Sequence, residues 1–262
     1  MRAPVAAAEQ VLAELLELAP SGVEQVDGEG WVEYAVYGAP GELPALPAGD
    51  AQVGGVRVHV SGERVADDWA ERWKRFHVPV LVGGRLCVRP PWEQAAARMD
   101  AIDLVIDPGQ AFGTGSHATT RLCLELLLDL EPSGGSLADL GCGSGLVAIA
   151  AARLGFAPVT AVDHDPAALA ATLDNALANG VVLEAVEQVD LREQAGPEAD
   201  VVVANLMRPL LLRVARLMPG RPRALIISGL LESEADEVAG AFAPLAERRR
   251  LSDAGWSALL LA

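Results

Sequence analysis

Apolar residues recur at helical spacing near the start of the chain, where Val11, Leu12, Leu15 and Leu18 are interleaved with Glu9, Glu14 and Glu17. The pattern predicts a surface helix over residues 5–18, with the chain opening almost directly into it. The alternating stretches WVEYAVYG (31–38) and VRVHVSG (56–62) predict strands, separated by the Pro- and Gly-rich loop APGELPALPAGD (39–50). Together these make a small α+β unit over residues 1–65. Residues 66–77 place Trp69, Trp73 and Phe76 on one side of a charged helix, which serves as a connector.

From residue 78 the pattern changes. RLCVRPPWE and AIDLVIDPG are strand-like. Leu122, Leu126 and Leu130 then predict an amphipathic helix over 117–130, with Ser116 as its N-cap. Beyond it, continuous apolar runs (SLADL, PVTAVD, EAVEQVD, ADVVVANL, RALIISGLL, WSALLLA) alternate with helical segments, including 166–178, 208–217 and 232–246. Apolar strands alternating with helices predict an α/β domain over 78–262, a mostly parallel sheet covered on both faces.

Composition narrows the function. The formal charge is −16 over 262 residues, and residues 1–65 hold Arg2, Arg57 and Arg64 against ten acids. Such a surface lacks the basic face that releases counterions from a polyanion, so direct nucleic-acid binding is not expected. A basic protein partner suits this field. Residues 1–20 are interrupted by glutamates and no apolar run approaches bilayer length, so a cytoplasmic protein without membrane attachment is expected. Cys87, Cys123 and Cys142 are widely spaced and form no Cys-x-x-Cys pair, and the histidines are scattered without carboxylate spacing. Buried thiols and no metal site are expected.

The candidate chemistry lies at the strand ends, where open α/β sheets bind ligands. DPGQAFGTGSHATT (107–120) is glycine-rich and precedes a helix, but Thr114 stands where a phosphate loop needs its second glycine, and no lysine follows. It is not a phosphate cradle. Asp139-Leu140-Gly141-Cys142-Gly143-Ser144-Gly145 carries G-x-G-x-G, with Leu146 where a dinucleotide fingerprint needs glycine. That turn allows close approach of a ligand to backbone; taken alone, it also admits a tight structural turn without a ligand. The next strand ends in Asp163, 22 residues past Gly141, suited to a ribose diol. Asp190 is placed to receive an adenine amino group, and Asn205 ends the fourth strand. An adenosine ligand without phosphate points to S-adenosyl-L-methionine. Asn205-Leu206-Met207-Arg208 lacks the Pro-Pro-aromatic platform used on flipped bases.

The run PGQAFGTGSHATTR, with LADLGCGSGLVAIAAARLG, VDHDPAALAATLDNALANGV and VVVANL behind it, resembles the PrmA family of ribosomal protein L11 lysine methyltransferases, over roughly residues 66–262. The resemblance implies a Rossmann-like class I methyltransferase domain of seven strands with a ferredoxin-like recognition domain before it. It implies cofactor contacts at Thr120, Gly141, Asp163 and Asn205, joined by Gly143, Asp190 and Phe112, and a lid or acceptor mouth at His117, Thr114 and Trp256. His117 reads either as part of that closure or as a backbone-bonding loop residue. Asn205 is expected to orient the acceptor amine. The N-terminal unit departs from the family, with its second helix reduced to GELPALPAG. Three functions are therefore carried forward: lysine methylation of the stalk protein of the large ribosomal subunit, methylation of another protein lysine or a small amine, and cofactor binding without turnover.

Overall fold

The computed structural model describes the chain apart from residues 8–10, 12–14, 16–23, 29, 37–48, 54, 63–77, 95–100, 109–112, 114, 116 and 131–134. The chain divides into two units, Met1–Ala70 and Glu71–Ala262. The connector helix expected over 66–77 lies outside the described residues.

The first unit holds a five-stranded antiparallel sheet. In chain order its strands are β1 (Arg2–Pro4), β2 (Glu24–Gly28), β3 (Trp31–Ala35), β4 (Gly49–Val53) and β5 (Val56–Val60), arranged β2-β3-β1-β5-β4. Alternation explains β3, where Val32 and Tyr34 are buried and their neighbours are not. Val11 and Leu15 have helical backbone and pack fully buried with Val32, Tyr34, Val53 and Val58. The expectation that the chain opens directly into a helix is corrected, because Arg2–Pro4 is the central strand. Three residues are too few to show a period, and this strand is held by its neighbours. Gly49–Val53, assigned at its start to the preceding loop, pairs antiparallel with β5.

The second unit opens with a three-stranded sheet, β6 (Val80–Val82), β7 (Leu86–Arg89) and β8 (Ile102–Val105). A helix α1 (Ala118–Asp129) follows, then β9 (Leu137–Leu140), α2 (Leu146–Arg153), β10 (Val159–Asp163), α3 (Pro166–Ala178), β11 (Ala185–Gln188), β12 (Val201–Asn205), α4 (Arg208–Leu217), β13 (Ala224–Leu231), α5 (Ala235–Ala241), β14 (Glu247–Asp253) and β15 (Trp256–Leu261). These form a seven-stranded sheet in the order β11-β10-β9-β12-β13-β15-β14, parallel except where β15 pairs with β13 and β14.

Its central strands are largely apolar because both faces are covered there, whereas the edge strands β11 and β14 are polar and mostly exposed. Val201 and Val203 of β12 join Leu122, Leu126 and Ile149 on one face, while Val202 and Ala204 join Leu211, Val214 and Val238 on the other. β13 divides in the same way, Ala224 and Ile226 against Leu225 and Ile227. The helix expected over 232–246 is shorter than its apolar spacing suggests. A 3-10 turn occupies Glu232–Glu234 and α5 ends at Ala241, two residues before the Ala243–Pro244 bond. Proline disfavours helix at the residue before it, which accounts for the stop.

One acid breaks the apolar rule. Asp139 of β9 is 2% exposed, and its Oδ2 accepts the Ala148 N–H at 3.1 Å, serving the first turn of α2. Burial pushes its carboxyl up to about 7; the Ala148 hydrogen bond opposes this and the nearby Asp163 charge adds to it. An unfolded chain titrates this group near 3.9. Between about pH 4 and pH 7 the native state therefore holds the extra proton, and stability from this residue falls as pH rises through that window and stays lost above it. Asp139→Asn should remove that slope: in urea denaturation the variant should gain on the natural chain between pH 5 and pH 8 by a few kcal/mol at most, on the order of magnitude linkage allows. A difference that does not vary with pH would show the carboxyl is ionised throughout.

Candidate functional site

Strand order reverses between β9 and β12, with β10 and β11 laid down on one side and β13 on the other. A cavity of about 670 Å³ opens at the carboxyl ends of these strands, the place where such sheets bind ligands. Across the sheet its walls run from Asp190 and Asp163 through Gly141 and Asn205 to Gly229 and Trp256.

The turn after β9 is drawn toward β10. Gly141 and Cys142 both donate their N–H groups to the Val162 carbonyl, at 2.8 and 3.0 Å. Gly143 donates to Asp163 Oδ2 at 3.0 Å. The other Asp163 oxygen accepts the Asp165 N–H at 3.0 Å and lies 3.1 Å from His164 Nδ1. Asp163 thus joins the turns after two strands while keeping acceptor capacity, since a carboxylate offers about four lone-pair sites. Asp165 in turn caps α3 through the Ala167 N–H, with Pro166 in the first helical turn.

The opposite wall is built from α1 and β12. His117 is the N-cap of α1, correcting the expected Ser116, which lies outside the described residues. Its Nδ1 accepts the Thr119 N–H at 3.4 Å and lies 2.8 Å from the Thr119 hydroxyl. Its ring meets Trp256 edge-on, with centroids 5.2 Å apart and planes at 68°. Burial, and then the Arg121 charge, lower the His117 pKa, which favours the neutral ring. Thr120 is 1% exposed and takes no part in the cavity wall; its hydroxyl accepts the Asn205 Nδ2–H at 3.3 Å. The lining threonine of this turn is Thr119. Asn205 is thereby oriented by Thr120, with its side-chain oxygen left for other donors.

Asp190 reaches the cavity, but its carboxylate is engaged by Arg192. Arg192 Nε donates to Oδ1 and Nη2 to Oδ2, each at 2.8 Å, and the Arg192 N–H also donates to Oδ1. This pair holds the acid at about 2. An adenine amino group would share Asp190 with Arg192. Phe112 and Thr114 lie outside the described residues. Gly141, Gly143, Asp163, Asp190, Asn205, His117 and Trp256 are brought to one cavity.

Several supports were not legible in the sequence. Asn175 on α3 accepts the Asp107 N–H at 2.9 Å and donates to the Ser144 carbonyl at 2.9 Å, and Asn179 bonds both backbone groups of Val105. Ser144 donates to the Gly113 carbonyl at 2.8 Å. The segment leading into the glycine-rich run is thus tied to α3 and to the Gly141–Gly145 turn. Two asparagines at i, i+4 on one helix face were the only available hint. All three cysteines are buried and free, and burial pushes the Cys123 and Cys142 thiols up to about 12. Among the described residues, no group of three His, Cys, Asp or Glu is placed to hold a metal, and no helix is long and apolar enough to cross a membrane.

Residues 46–261 match the family model described as "Ribosomal protein L11 methyltransferase (PrmA)". Proteins named ribosomal protein L11 methyltransferase from Syntrophotalea carbinolica and Pelotomaculum thermopropionicum are 44% and 43% identical, over 68% and 74% of this chain. The chain spans 60% and 65% of the length of these relatives. The crystal structure of the ribosomal protein L11 methylase from Lactobacillus delbrueckii subsp. bulgaricus superimposes with a TM-score of 0.65 at 26% identity, covering 71% of this chain and 98% of that one. The family match, the shared fold and the strand-end cavity agree, and the chain belongs to the PrmA family of ribosomal protein L11 methyltransferases.

Proposed function

We propose that this protein transfers a methyl group from S-adenosyl-L-methionine to an amine of ribosomal protein L11 in the cytoplasm. The observation that carries the reading is the pairing, in one cavity, of a bare glycine turn tied to Asp163 with an Asn205 amide oriented by Thr120. The cavity suits a nucleoside joined to an amino acid. Its size lies in the usual range for small-molecule sites, Asp163 offers acceptors for a diol, and Val189, Leu191, Leu206 and Leu210 supply apolar walls. Among the described residues lining it the one arginine, Arg192, is engaged by Asp190, which disfavours a phosphate-bearing ligand.

When bound, S-adenosylmethionine supplies a methyl group activated by a sulfonium. What the chain contributes is alignment and desolvation. Gly141, Gly143 and Asp163 would hold the donor. Asn205 Oδ1, free because Nδ2 faces Thr120, would accept a hydrogen bond from the acceptor amine and aim its lone pair. A lysine amine titrates near 10.4 in water, and an apolar cavity lowers that value, favouring the nucleophilic neutral form. His117 directs Nδ1 toward Thr119, so the neutral ring carries its proton on Nε2 and presents a donor rather than a base at that atom.

The acidic surface suits a basic ribosomal protein. The family match begins at residue 46, within the N-terminal unit, so the acceptor is less constrained than the donor. That observation favours another protein lysine or a small amine as the second reading.

Labelled S-adenosylmethionine incubated with ribosomal proteins from a strain lacking this gene should label a single band at L11. Label on another band supports the second reading, and no label removes both. With Lys74 the only lysine, self-methylation should add little background. Asn205→Ala should lower kcat by about a hundredfold, the scale expected for lost alignment; unchanged turnover would remove its assigned role. Asp163→Ala should weaken donor binding by roughly ten- to a hundredfold in calorimetry, as expected for charged hydrogen bonds. Native-like affinity in that variant would place the donor elsewhere.

A further inference from the structure

Leu206 sits between two glycines from different halves of the site. Gly141, in the turn after β9, has φ +75°, and a Cβ there would run into the tip of the Leu206 side chain. Gly229, in β13, has φ +83° and lies where the pairing with β15 changes register between Ile227 and Leu230. A Cβ at Gly229 would meet the Leu206 peptide itself, 2.8 Å from its carbonyl carbon and 3.0 Å from its nitrogen, and its carbonyl oxygen nearer still. The side chain of one residue therefore fills the space over the first glycine, and its backbone fills the space over the second.

Both flanking walls are held. Gly141 is bonded to Val162 on β10 at 2.8 Å. Next to Gly229, the buried Ser228 donates its hydroxyl toward the Thr119 and Ser257 carbonyls at 3.3 and 3.1 Å, and its own carbonyl accepts the Leu206 N–H at 3.0 Å. Leu206 also packs on the apolar cluster beneath α4, with Leu211 and Ile227. Close-packed contacts of this kind transmit displacement rather than absorb it. Asn205 precedes this wedge and Met207 follows it; all three residues line the cavity, as do Gly141 and Gly229.

We propose that Leu206 is a positioning residue that fixes the spacing between the donor turn at Gly141 and the acceptor segment Asn205–Met207. The proposal rests on the methyl-transfer reading, which puts the donor at Gly141 and Asp163 and the amine at Asn205. An in-line transfer tolerates little error in the distance between the reacting atoms. The β9–β12 ladder pairs the two strands as far as Leu140 and Ala204; beyond it, the spacing of the donor turn and the acceptor segment rests on packing against one leucine.

The geometry makes the two glycines behave differently. Gly141→Ala collides with a flexible side chain that Leu206→Ala removes. Gly229→Ala collides with a peptide that no change of the Leu206 side chain removes. The chain is to be tested by calorimetric binding of S-adenosylhomocysteine and by the single-turnover rate of methyl transfer. Gly141→Ala should weaken binding, and adding Leu206→Ala should recover about tenfold of that loss, the size of coupling seen for residues in contact. Gly229→Ala should weaken binding as well as slow transfer by about tenfold or more, with no recovery of either on adding Leu206→Ala. Gly180→Ala, at φ +62° with open space around it, measures by denaturation the strain of a left-handed alanine alone.

Additive effects of Gly141→Ala and Leu206→Ala on binding, or recovery of Gly229→Ala by Leu206→Ala, would overturn the proposal. If the glycine variants do not fold, Leu206→Ala alone decides the matter. It must change both donor affinity and transfer rate, and a change in only one of them overturns the coupling. Failure of the natural chain to bind the probe or transfer methyl would instead remove the methyl-transfer reading, a result distinct from a working enzyme with uncoupled variants.

Discussion

The burial of both faces of the central strands of the seven-stranded sheet is the constraint from which the site follows. A strand enclosed on both sides cannot carry unsatisfied polar groups along its length, so polar residues collect at the strand ends, as Asp163 and Asn205 do. The reversal of strand order between β9 and β12 then leaves space at one edge, and the polar ends border it. The exceptions within the strands obey the same rule. Asp139 serves a backbone N–H of α2, and Ser228 bonds the Thr119 and Ser257 carbonyls. Each buried polar group joins elements that the apolar core only presses together.

That logic explains what could be read from the amino-acid order. β9, β10, β12 and β13 are continuous apolar runs bounded by turns, so their existence and the parallel sheet were legible. Gly141, Asp163 and Asn205 were legible because each is the first polar or flexible residue after such a run. β1 was not: three residues, Arg2–Pro4, show no period and owe their conformation to β3 and β5. The end of α5 at Ala241 was masked by apolar spacing that continues past it. Thr119 and Thr120 could not be told apart by sequence, since which of two adjacent hydroxyls faces the cavity depends on the start of α1 at Ala118. The Arg192 pairing that occupies Asp190 and the Leu206 wedge against Gly229 depend on loop geometry and long-range contact, which no local pattern encodes.

Electrostatics sets a tension within the proposed reaction. Many exposed arginines of the second unit are tied to acids: Arg121 to Asp253, Arg208 to Glu237, Arg249 to Asp129, and Arg250 to both Glu247 and Asp236. The net charge of −16 is thus left to dominate at long range, a field that gathers a basic protein. The same field favours the protonated amine, which cannot attack a methyl group. The two demands are separated in space. Steering acts over the surface, through water and within a screening length of about 8 Å at physiological salt. In the proposed reaction deprotonation belongs to the cavity, where Leu206, Leu210 and Trp256 would replace water around the amine. Removal of water costs an ammonium more than a neutral amine and pulls its pKa down against the surface field. On this reading the apolar wall beside Asn205 serves the chemistry as directly as Asn205 does. The Leu206 wedge then holds both ends of the reaction at one spacing while the amine loses its water.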